Sequence, residues 1–151
     1  MAVRAKELRF AVDLAAGGTL STEDGAPLDP GDAWTPEHLL LAALARCSLE
    51  SLRHHARWAG IQVPSAAGSA RALVTRRESD GRYAVVEASL DLAIELEPKP
   101  GPDELGALLA KAERDCFVGA SLQAKPSYRW TVNGVEAAAS SSSPSARARE
   151  R

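Results

Sequence analysis

The sequence predicts one mixed α+β domain, and two kinds of pattern support this prediction. Residues 70–77 and 83–96 alternate between apolar and polar side chains, which is the period of half-buried strands. Residues 36–59 and 102–116 instead carry apolar side chains at helical spacing. A chain of 151 residues is long enough for one core of moderate size. We therefore expect helices and strands to share that core.

The first third of the chain predicts a hairpin followed by a loop. Residues 4–15 alternate loosely like a strand, Gly17 and Gly18 form a turn, and residues 19–22 return as the second strand. Residues 23–33 contain two glycines and two prolines, a composition typical of loops.

The first helix has a well-marked beginning and end. Thr35 can cap the free backbone N–H groups, Pro36 suits the first helical position, and Glu37 favours the positive end of the helix dipole. Residues 39–44 are apolar all round, so we expect them to be buried on every side, partly against a second subunit. Gly60 ends the helix.

The second half predicts a strand hairpin, two helices and a last strand. Ser79-Asp80-Gly81 joins the two long strands, and a proline-rich break precedes the helix 102–116. A shorter helix over 117–122 and a strand over 127–135 follow. Trp58 and Trp130 are expected in the core.

The end of the sequence has a different composition. From residue 137 it contains no large apolar side chain, so it cannot bury enough surface to offset the entropy of ordering. We expect a folded domain over 1–136 and a disordered tail rich in serine, alanine and arginine over 137–151.

The composition argues against several classes of partner. A net charge of −2 and a pI near 5.9 disfavour nucleic acids and anionic membranes. No apolar stretch approaches the roughly 18 residues of a membrane span, and the first residues do not form a signal peptide. We expect a cytoplasmic protein, in which a cysteine pair is catalytic or inert rather than a structural disulfide.

The two cysteines are the strongest candidates for chemistry. Cys47 lies within the first predicted helix and Cys116 closes the second. If the helices pack together, the pair can form a reversible disulfide; alternatively, both are small buried apolar residues. Even with His54, they supply too few ligands for zinc, and we expect neither a metal nor another cofactor.

Three motifs carry a resemblance to a known family. The first is Thr35-Pro36-Glu37-x-Leu-Leu-x-Ala-Ala-Leu-Ala-x-Cys47, with the glutamate ten residues before the cysteine. The second is Ala112-Glu113-x-x-Cys116 followed by Ser121-Leu122, and the third is Thr19-x-Ser-Thr-x-Asp-Gly25. With a cysteine spacing of 69 residues, this pattern resembles the OsmC/Ohr family of osmotically inducible and organic-hydroperoxide-resistance proteins. The resemblance implies an intertwined homodimer with curved antiparallel sheets around a long central helix and a second helix.

The resemblance also implies a peroxidase mechanism. Cys47 would attack an organic hydroperoxide as a thiolate and become a sulfenic acid, which Cys116 would resolve to a disulfide. A small dithiol or a lipoylated protein would then reduce the disulfide. Glu37 corresponds to the carboxylate that holds an activating arginine.

The activating arginine is the main departure from the family pattern. It is expected after the glycines of the N-terminal turn or in the loop before the helix, and neither segment contains one. Arg4, Arg9 or an arginine of a partner subunit is the candidate substitute. The missing arginine also motivates an alternative function, a dimeric binding protein that keeps the fold without catalysis.

Two further candidates have structural alternatives. Trp34 could line a pocket for the organic peroxide, but a residue just before a helix cap more often acts as a hydrophobic staple. Glu37 could serve only to favour the helix dipole.

Overall fold

The computed structural model describes residues 4–141, and the chain divides after Leu39 into two units. The first unit contains a small antiparallel sheet of three strands, β1 (Val12–Leu14), β2 (Leu20–Thr22) and β3 (Pro27–Leu28), in that order. The predicted first hairpin is confirmed, but its first strand is much shorter than residues 4–15. The reason is that β2 offers only three residues for pairing.

The predicted loop over residues 23–33 contains β3, so this part of the prediction is wrong. Gly25 adopts a positive φ of 83° and donates its N–H to the carbonyl of Thr22 at 2.9 Å. The Thr22 hydroxyl also accepts the N–H of Ala26 at 3.1 Å. This tight turn sends the chain back along β2, where Leu28 pairs with Leu20.

The second unit contains a four-stranded sheet in the order β4–β5–β6–β7. β4 (Gln62–Arg76) and β5 (Tyr83–Glu97) form a long antiparallel hairpin. β6 (Ser127–Val132) lies parallel to β5, and β7 (Val135–Ala137) returns antiparallel to β6. β4 begins eight residues earlier than predicted because β5 pairs with it along almost its whole length.

Three helices complete the fold and confirm the mixed α+β class. α1 (Pro36–Trp58) begins just before the division of the chain and continues through the second unit. α2 (Pro102–Arg114) and α3 (Phe117–Ser121) lie between β5 and β6 in sequence. A helical crossover of this kind returns the chain to the same end of the sheet. It explains why the β5–β6 pair is parallel, although we expected antiparallel sheets throughout.

Both ends of α1 follow the predicted signals. The Thr35 hydroxyl accepts the backbone N–H of His38 at 3.4 Å, as an N-cap does. At the other end Gly60 adopts a φ of 72°, and Ile61 donates its N–H to the Ala56 carbonyl at 2.8 Å.

The core of the second unit lies between the sheet and the helices. Alternate residues of β5 are buried on one face of the sheet: Ala88, Leu90, Leu92, Ile94 and Leu96. Helices α1 and α2 cover this face with Leu44, Leu52 and Leu109, and Trp130 of β6 is fully buried as predicted.

One burial prediction is wrong for this chain, and another stays a prediction because it involves a second subunit. In the single chain Leu44 is buried, whereas Ala42 and Ala43 are exposed. Trp58 is 81% exposed rather than part of the core, because it lies at the very end of α1.

The predicted last strand is divided into β6 and β7 by a two-residue turn. Asn133 and Gly134 both have positive φ, 49° and 80°, which is the conformation of a type I′ hairpin turn. The chain then runs past α2, where Ser140 donates its N–H to the Gly106 carbonyl at 3.0 Å. Residues 142–151 of the predicted tail lie outside the described residues, and the domain boundary after residue 136 stays a prediction.

Within residues 4–141, none of the helices combines the length and hydrophobicity that crossing a bilayer requires.

Gly68 provides a test of the β4–β5 pairing. A Cβ at this position would lie 2.6 Å from the Asp91 carbonyl oxygen and 2.5 Å from Cδ2 of Leu92. We expect Gly68→Ala to lower the free energy of unfolding by about 1–3 kcal/mol, because the backbone of β5 must move to relieve the contact. Urea denaturation measures the change. Gly17→Ala, with no atom within 4 Å of its Cβ, is the control, and equal midpoints for the two variants would contradict the described packing.

Candidate functional site

Cys116 is held at the junction of α2 and α3. The backbone leaves the helical conformation after Arg114, and Cys116 forms the N-cap of α3, where its sulfur accepts the N–H of Gly119 at 3.4 Å. The side chain is completely buried. The predicted helix 102–116 therefore ends two residues early, and Cys116 lies in a tight corner instead of within a helix.

Cys47 lies on the side of α1 that faces this corner. Its thiol is half-buried and close enough to the Cys116 thiol and to the backbone N–H groups of Phe117 and Val118 for each to affect its ionisation. The next residue, Ser48, has its Oγ 3.5 Å from Cys116 Sγ. Both cysteines are free thiols. The second unit thus brings together two thiols that are 69 residues apart in sequence.

The surroundings of Cys47 disfavour its thiolate form. Burial raises the pKa of the thiol above its ordinary value; the N–H of Val118 opposes this effect, and the Cys116 thiol adds to it. Within residues 40–141 of the second unit, none of the lysines and arginines contributes to lowering this pKa. At neutral pH, Cys47 of the single chain is therefore mainly a thiol.

Two hydroxyl groups that the sequence did not single out complete the corner. Ser48 is fully buried; its Oγ donates to the Leu44 carbonyl at 2.9 Å and lies 3.1 Å from the Tyr128 hydroxyl. The Tyr128 ring stacks on Trp130 with centroids 5.8 Å apart, and burial raises the pKa of Tyr128 to about 12. The available signal was the position of Ser48, a polar residue in the stripe between Leu44 and Leu52.

The carboxylate of the Ala112-Glu113 motif is bonded to strand β6, beside the α2–α3 corner. Glu113 accepts a hydrogen bond from Nε1 of Trp130 at 2.9 Å, and burial raises its pKa. This bond links the last turn of α2 to β6, and both of these elements lie next to Cys116.

A second set of hydrogen bonds holds Asp115, the residue directly before Cys116. Asp115 accepts hydrogen bonds from the Arg114 guanidinium at 2.7 and 2.8 Å, and its Oδ2 lies 2.8 Å from Nε2 of His55 on α1. Arg114 and His55 together hold the pKa of Asp115 at about 2. The end of α2 is thereby attached to the helix that carries Cys47.

The other predicted site residues belong to the first unit, whereas both thiols belong to the second. Glu37 is exposed in the first turn of α1, where its own backbone N–H and the Thr35 hydroxyl lower its pKa. Trp34 is 51% exposed and contacts His38 edge-on.

The two candidate cations are both engaged with one carboxylate of the first unit. Arg4 and Arg9 form ion pairs with Glu7 at 3.7 and 2.7 Å, and both arginine side chains are highly exposed. Their predicted role stays a prediction. Among residues 4–141, there is no group of three His, Cys, Asp or Glu side chains that could hold a metal ion.

Comparison with models of known protein families shows which family the chain belongs to. The family model for OsmC-like proteins matches residues 29–131. This chain belongs to the OsmC-like family. The match covers α1, both cysteines and the strands of the second unit up to β6, and it confirms the resemblance on which the sequence interpretation rests.

Solved structures of OsmC-like proteins share the fold. An OsmC-like protein of unknown function from Vibrio cholerae is 18% identical, with a TM-score of 0.65 over 75% of this chain and 82% of that one. The organic hydroperoxide resistance protein OsmC from Legionella pneumophila is 21% identical, with a TM-score of 0.57 over 85% and 98%. An organic hydroperoxide resistance protein from Elizabethkingia anophelis is 18% identical, with a TM-score of 0.58 over 85% and 98%. No curated protein matches the chain.

The tie at Asp115 predicts a pH dependence of stability. The pKa of this carboxyl is about 2 in the folded protein, below its ordinary value of 3.8. A lowered carboxyl pKa stabilises the fold above pH ~4, and this contribution is lost as the pH falls towards 2. We expect Asp115→Asn to be less stable than the parent at neutral pH and to lose less stability between these two pH values.

Urea unfolding at a series of pH values measures this effect. Asp29→Asn, in the exposed loop before α1, is the matched control and should follow the parent curve. If Asp115→Asn also follows the parent curve, the ion pairs of Asp115 with Arg114 and His55 do not contribute to stability.

Proposed function

We propose that this OsmC-like protein is a thiol-dependent peroxidase that reduces organic hydroperoxides. The observation that carries the proposal is the meeting of Cys47 and Cys116 in one buried corner, with one thiol half-buried and the other completely enclosed. Relatives of the same fold that are named organic hydroperoxide resistance proteins support the choice of substrate.

The reaction proceeds in two steps on the protein. The Cys47 thiolate attacks the terminal oxygen of the hydroperoxide, the O–O bond breaks, and the alcohol leaves with a proton while Cys47 becomes a sulfenic acid. Cys116 Sγ then attacks Cys47 Sγ, the S–O bond breaks, and water is released as the disulfide forms. The less exposed thiol is suited to the second step, because peroxide reaches Cys47 first.

A dithiol or a lipoylated protein completes the cycle by reducing the disulfide. Its two thiols become a disulfide, and both protein thiols are restored. This part of the proposal fits a reducing compartment such as the cytoplasm, where a thiol pair is kept ready for the next turnover.

The first step requires a cation, because the corner itself raises the pKa of Cys47. We assign this role to Arg9 or Arg4, or to an arginine of a partner subunit, held by the Glu37 carboxylate. Trp34 would line the pocket for the organic part of the peroxide. A guanidinium near the sulfur lowers a thiol pKa by direct electrostatic attraction, which opposes the effect of burial.

The working form in this proposal is a homodimer. Four alternate residues of the first unit are at least half exposed although they are apolar: Leu8, Phe10, Val12 and Leu14. Ala42 and Ala43 of the apolar helix half are exposed as well. A second copy of the chain would cover such surfaces.

One observation favours a second function, a dimeric binding protein without catalysis. The pKa of Cys47 is raised and no cation among residues 40–141 lowers it, so the thiol in the second unit alone is a poor nucleophile. This function predicts that Cys47 does not react with peroxide at neutral pH.

Cumene hydroperoxide distinguishes the two functions. We expect the parent to consume one equivalent rapidly, Cys47→Ser to consume none, and Cys116→Ser to form a sulfenic acid that dimedone traps. Replacement of the activating arginine should slow the first step at least about tenfold, because a rise of one unit in the pKa of Cys47 lowers its thiolate fraction about tenfold. The rate of peroxide consumption by Arg4→Ala is compared with that by Arg9→Ala to decide which arginine activates Cys47. A Cys47→Ser variant as active as the parent refutes the peroxidase, and an inert parent supports the binding protein.

The dimer has its own test by sedimentation velocity. We expect the parent to sediment as a dimer and Phe10→Glu to sediment as a monomer at micromolar concentration, because a charge in an apolar interface must be desolvated. Ala16→Glu adds the same charge in the turn after β1 and serves as the control. A monomeric parent would contradict the proposal.

A further inference from the structure

The buried thiol of Cys116 has an unusually polar neighbourhood for a core residue. Its sulfur accepts the N–H of Gly119 at 3.4 Å and lies 3.5 Å from Oγ of Ser48. The Ser48 hydroxyl lies 3.1 Å from that of Tyr128, so a chain of two hydroxyl groups leads from the sulfur to β6. Cys116 and Ser48 are both fully buried.

Gly119 lies beside both the thiol and the Tyr128 hydroxyl. A Cβ at Gly119 would lie 3.4 Å from Cys116 Sγ and 3.4 Å from the Tyr128 hydroxyl oxygen. Both atoms therefore line the same small space above Gly119. The Tyr128 hydroxyl is near enough to Cys116 for the thiol to affect its pKa.

A thiolate in this position lacks water and needs hydrogen-bond donors from the protein. The cost of burying an anion is high unless donors replace its hydration. The Ser48 hydroxyl can donate its proton to the Leu44 carbonyl at 2.9 Å or, by rotation about its Cβ–Oγ bond, to the sulfur at 3.5 Å. Tyr128 can then donate to Ser48, so that both hydroxyl protons support negative charge on Cys116.

We propose that Ser48 and Tyr128 are positioning residues for Cys116, whose hydroxyl groups stabilise the thiolate form from which its sulfur attacks Cys47. This inference rests on the proposed peroxidase function, in which Cys116 is the resolving thiol. It concerns the second step alone, in which the Cys116–Cys47 bond forms, the S–O bond breaks and the thiol proton leaves with the oxygen as water.

The resolving step can be measured without peroxide. Cys47 is first converted to its mixed disulfide with thionitrobenzoate by Ellman's reagent. Cys116 Sγ then attacks Cys47 Sγ, the mixed S–S bond breaks, coloured thionitrobenzoate leaves with the electron pair, and the thiol proton passes to solvent. The rate of colour release over a range of pH reports on Cys116.

The titratable groups that face Cys116 in this assay are known from the packing. They are Cys47 on α1, which is blocked in the mixed disulfide, and Tyr128 on β6. Glu113 on α2 lies close enough to Tyr128 to raise its pKa. None of these three groups supplies a positive charge. The Arg114 guanidinium and the His55 ring, near Cys116, are bonded to the Asp115 carboxylate, so the hydroxyl groups and the Gly119 N–H are the stabilising contacts of the sulfur itself.

We expect Tyr128→Phe and Ser48→Ala to slow release about tenfold at neutral pH and to shift the pH of half-maximal rate upward by about one unit. Ser48→Thr keeps the hydroxyl and should keep the parent profile. Tyr83→Phe, on an exposed residue of β5, and Ser51→Ala, one turn further along α1, are the matched controls. Ser51 donates to the Ala112 carbonyl at 2.8 Å, so its loss perturbs the same helix contact without touching the sulfur.

Each outcome decides the inference. A profile shifted upward in Tyr128→Phe and Ser48→Ala but not in the controls supports it. Profiles that coincide with the parent, or a rate lowered equally at all pH values, overturn it, because a merely structural role does not move the pH dependence. If the parent fails to react with cumene hydroperoxide while the profiles shift, the peroxidase function fails and the assignment of Ser48 and Tyr128 stands.

Discussion

Burial of two thiols against each other is the constraint on which the site of this OsmC-like protein depends. Packing α1 on the α2–α3 corner brings Cys47 and Cys116 together, but it also removes water that would stabilise a thiolate. The same contact that makes a disulfide possible therefore makes Cys47 a poorer nucleophile at neutral pH, because burial raises the pKa of its thiol. Any chemistry at this corner requires groups that compensate for the lost water.

Different groups replace the lost water at the two sulfurs. Cys116 is surrounded by a backbone N–H and a pair of hydroxyl groups, all within the second unit. At Cys47 the N–H groups of Phe117 and Val118 favour the thiolate, and in the proposed mechanism a cation adds to them. The hydrogen bonds of Asp115 and Glu113 link α2 to α1 and to β6. The corner is thus held by contacts within the second unit, whereas the proposed activation of Cys47 comes from an arginine.

Local signals in the sequence were sufficient for the elements but not for their pairing. The caps around Thr35 and Gly60, the alternation in β5 and the turn at Gly81 each specify a local structure, and all were found. The Asn133-Gly134 turn carries an equally strong signal and was missed, because the alternation of residues 127–135 continued through it. β3 was missed because its two residues pair only through a turn that the composition marks simply as a loop.

In the candidate site, too, the local features were predictable from the sequence and the long-range contacts were not. The cysteine pair was predictable from motif spacing, since Cys47 lies in one helix and Cys116 closely follows another, and both helices have recognisable ends. Ser48 and Tyr128 were not, because their contact joins residues 80 apart and depends on how β6 lies beside β5. The parallel arrangement of these strands decides which face of β6 meets α1, and no local pattern in the sequence specifies it.

Mass spectrometry of the protein after one equivalent of cumene hydroperoxide shows whether the two thiols form a disulfide with each other. We expect an intramolecular disulfide that joins the tryptic peptides of Cys47 and Cys116 and that dithiothreitol separates again. Recovery of both cysteines as alkylatable thiols after the peroxide has been consumed, or disulfides between different chains only, would contradict it.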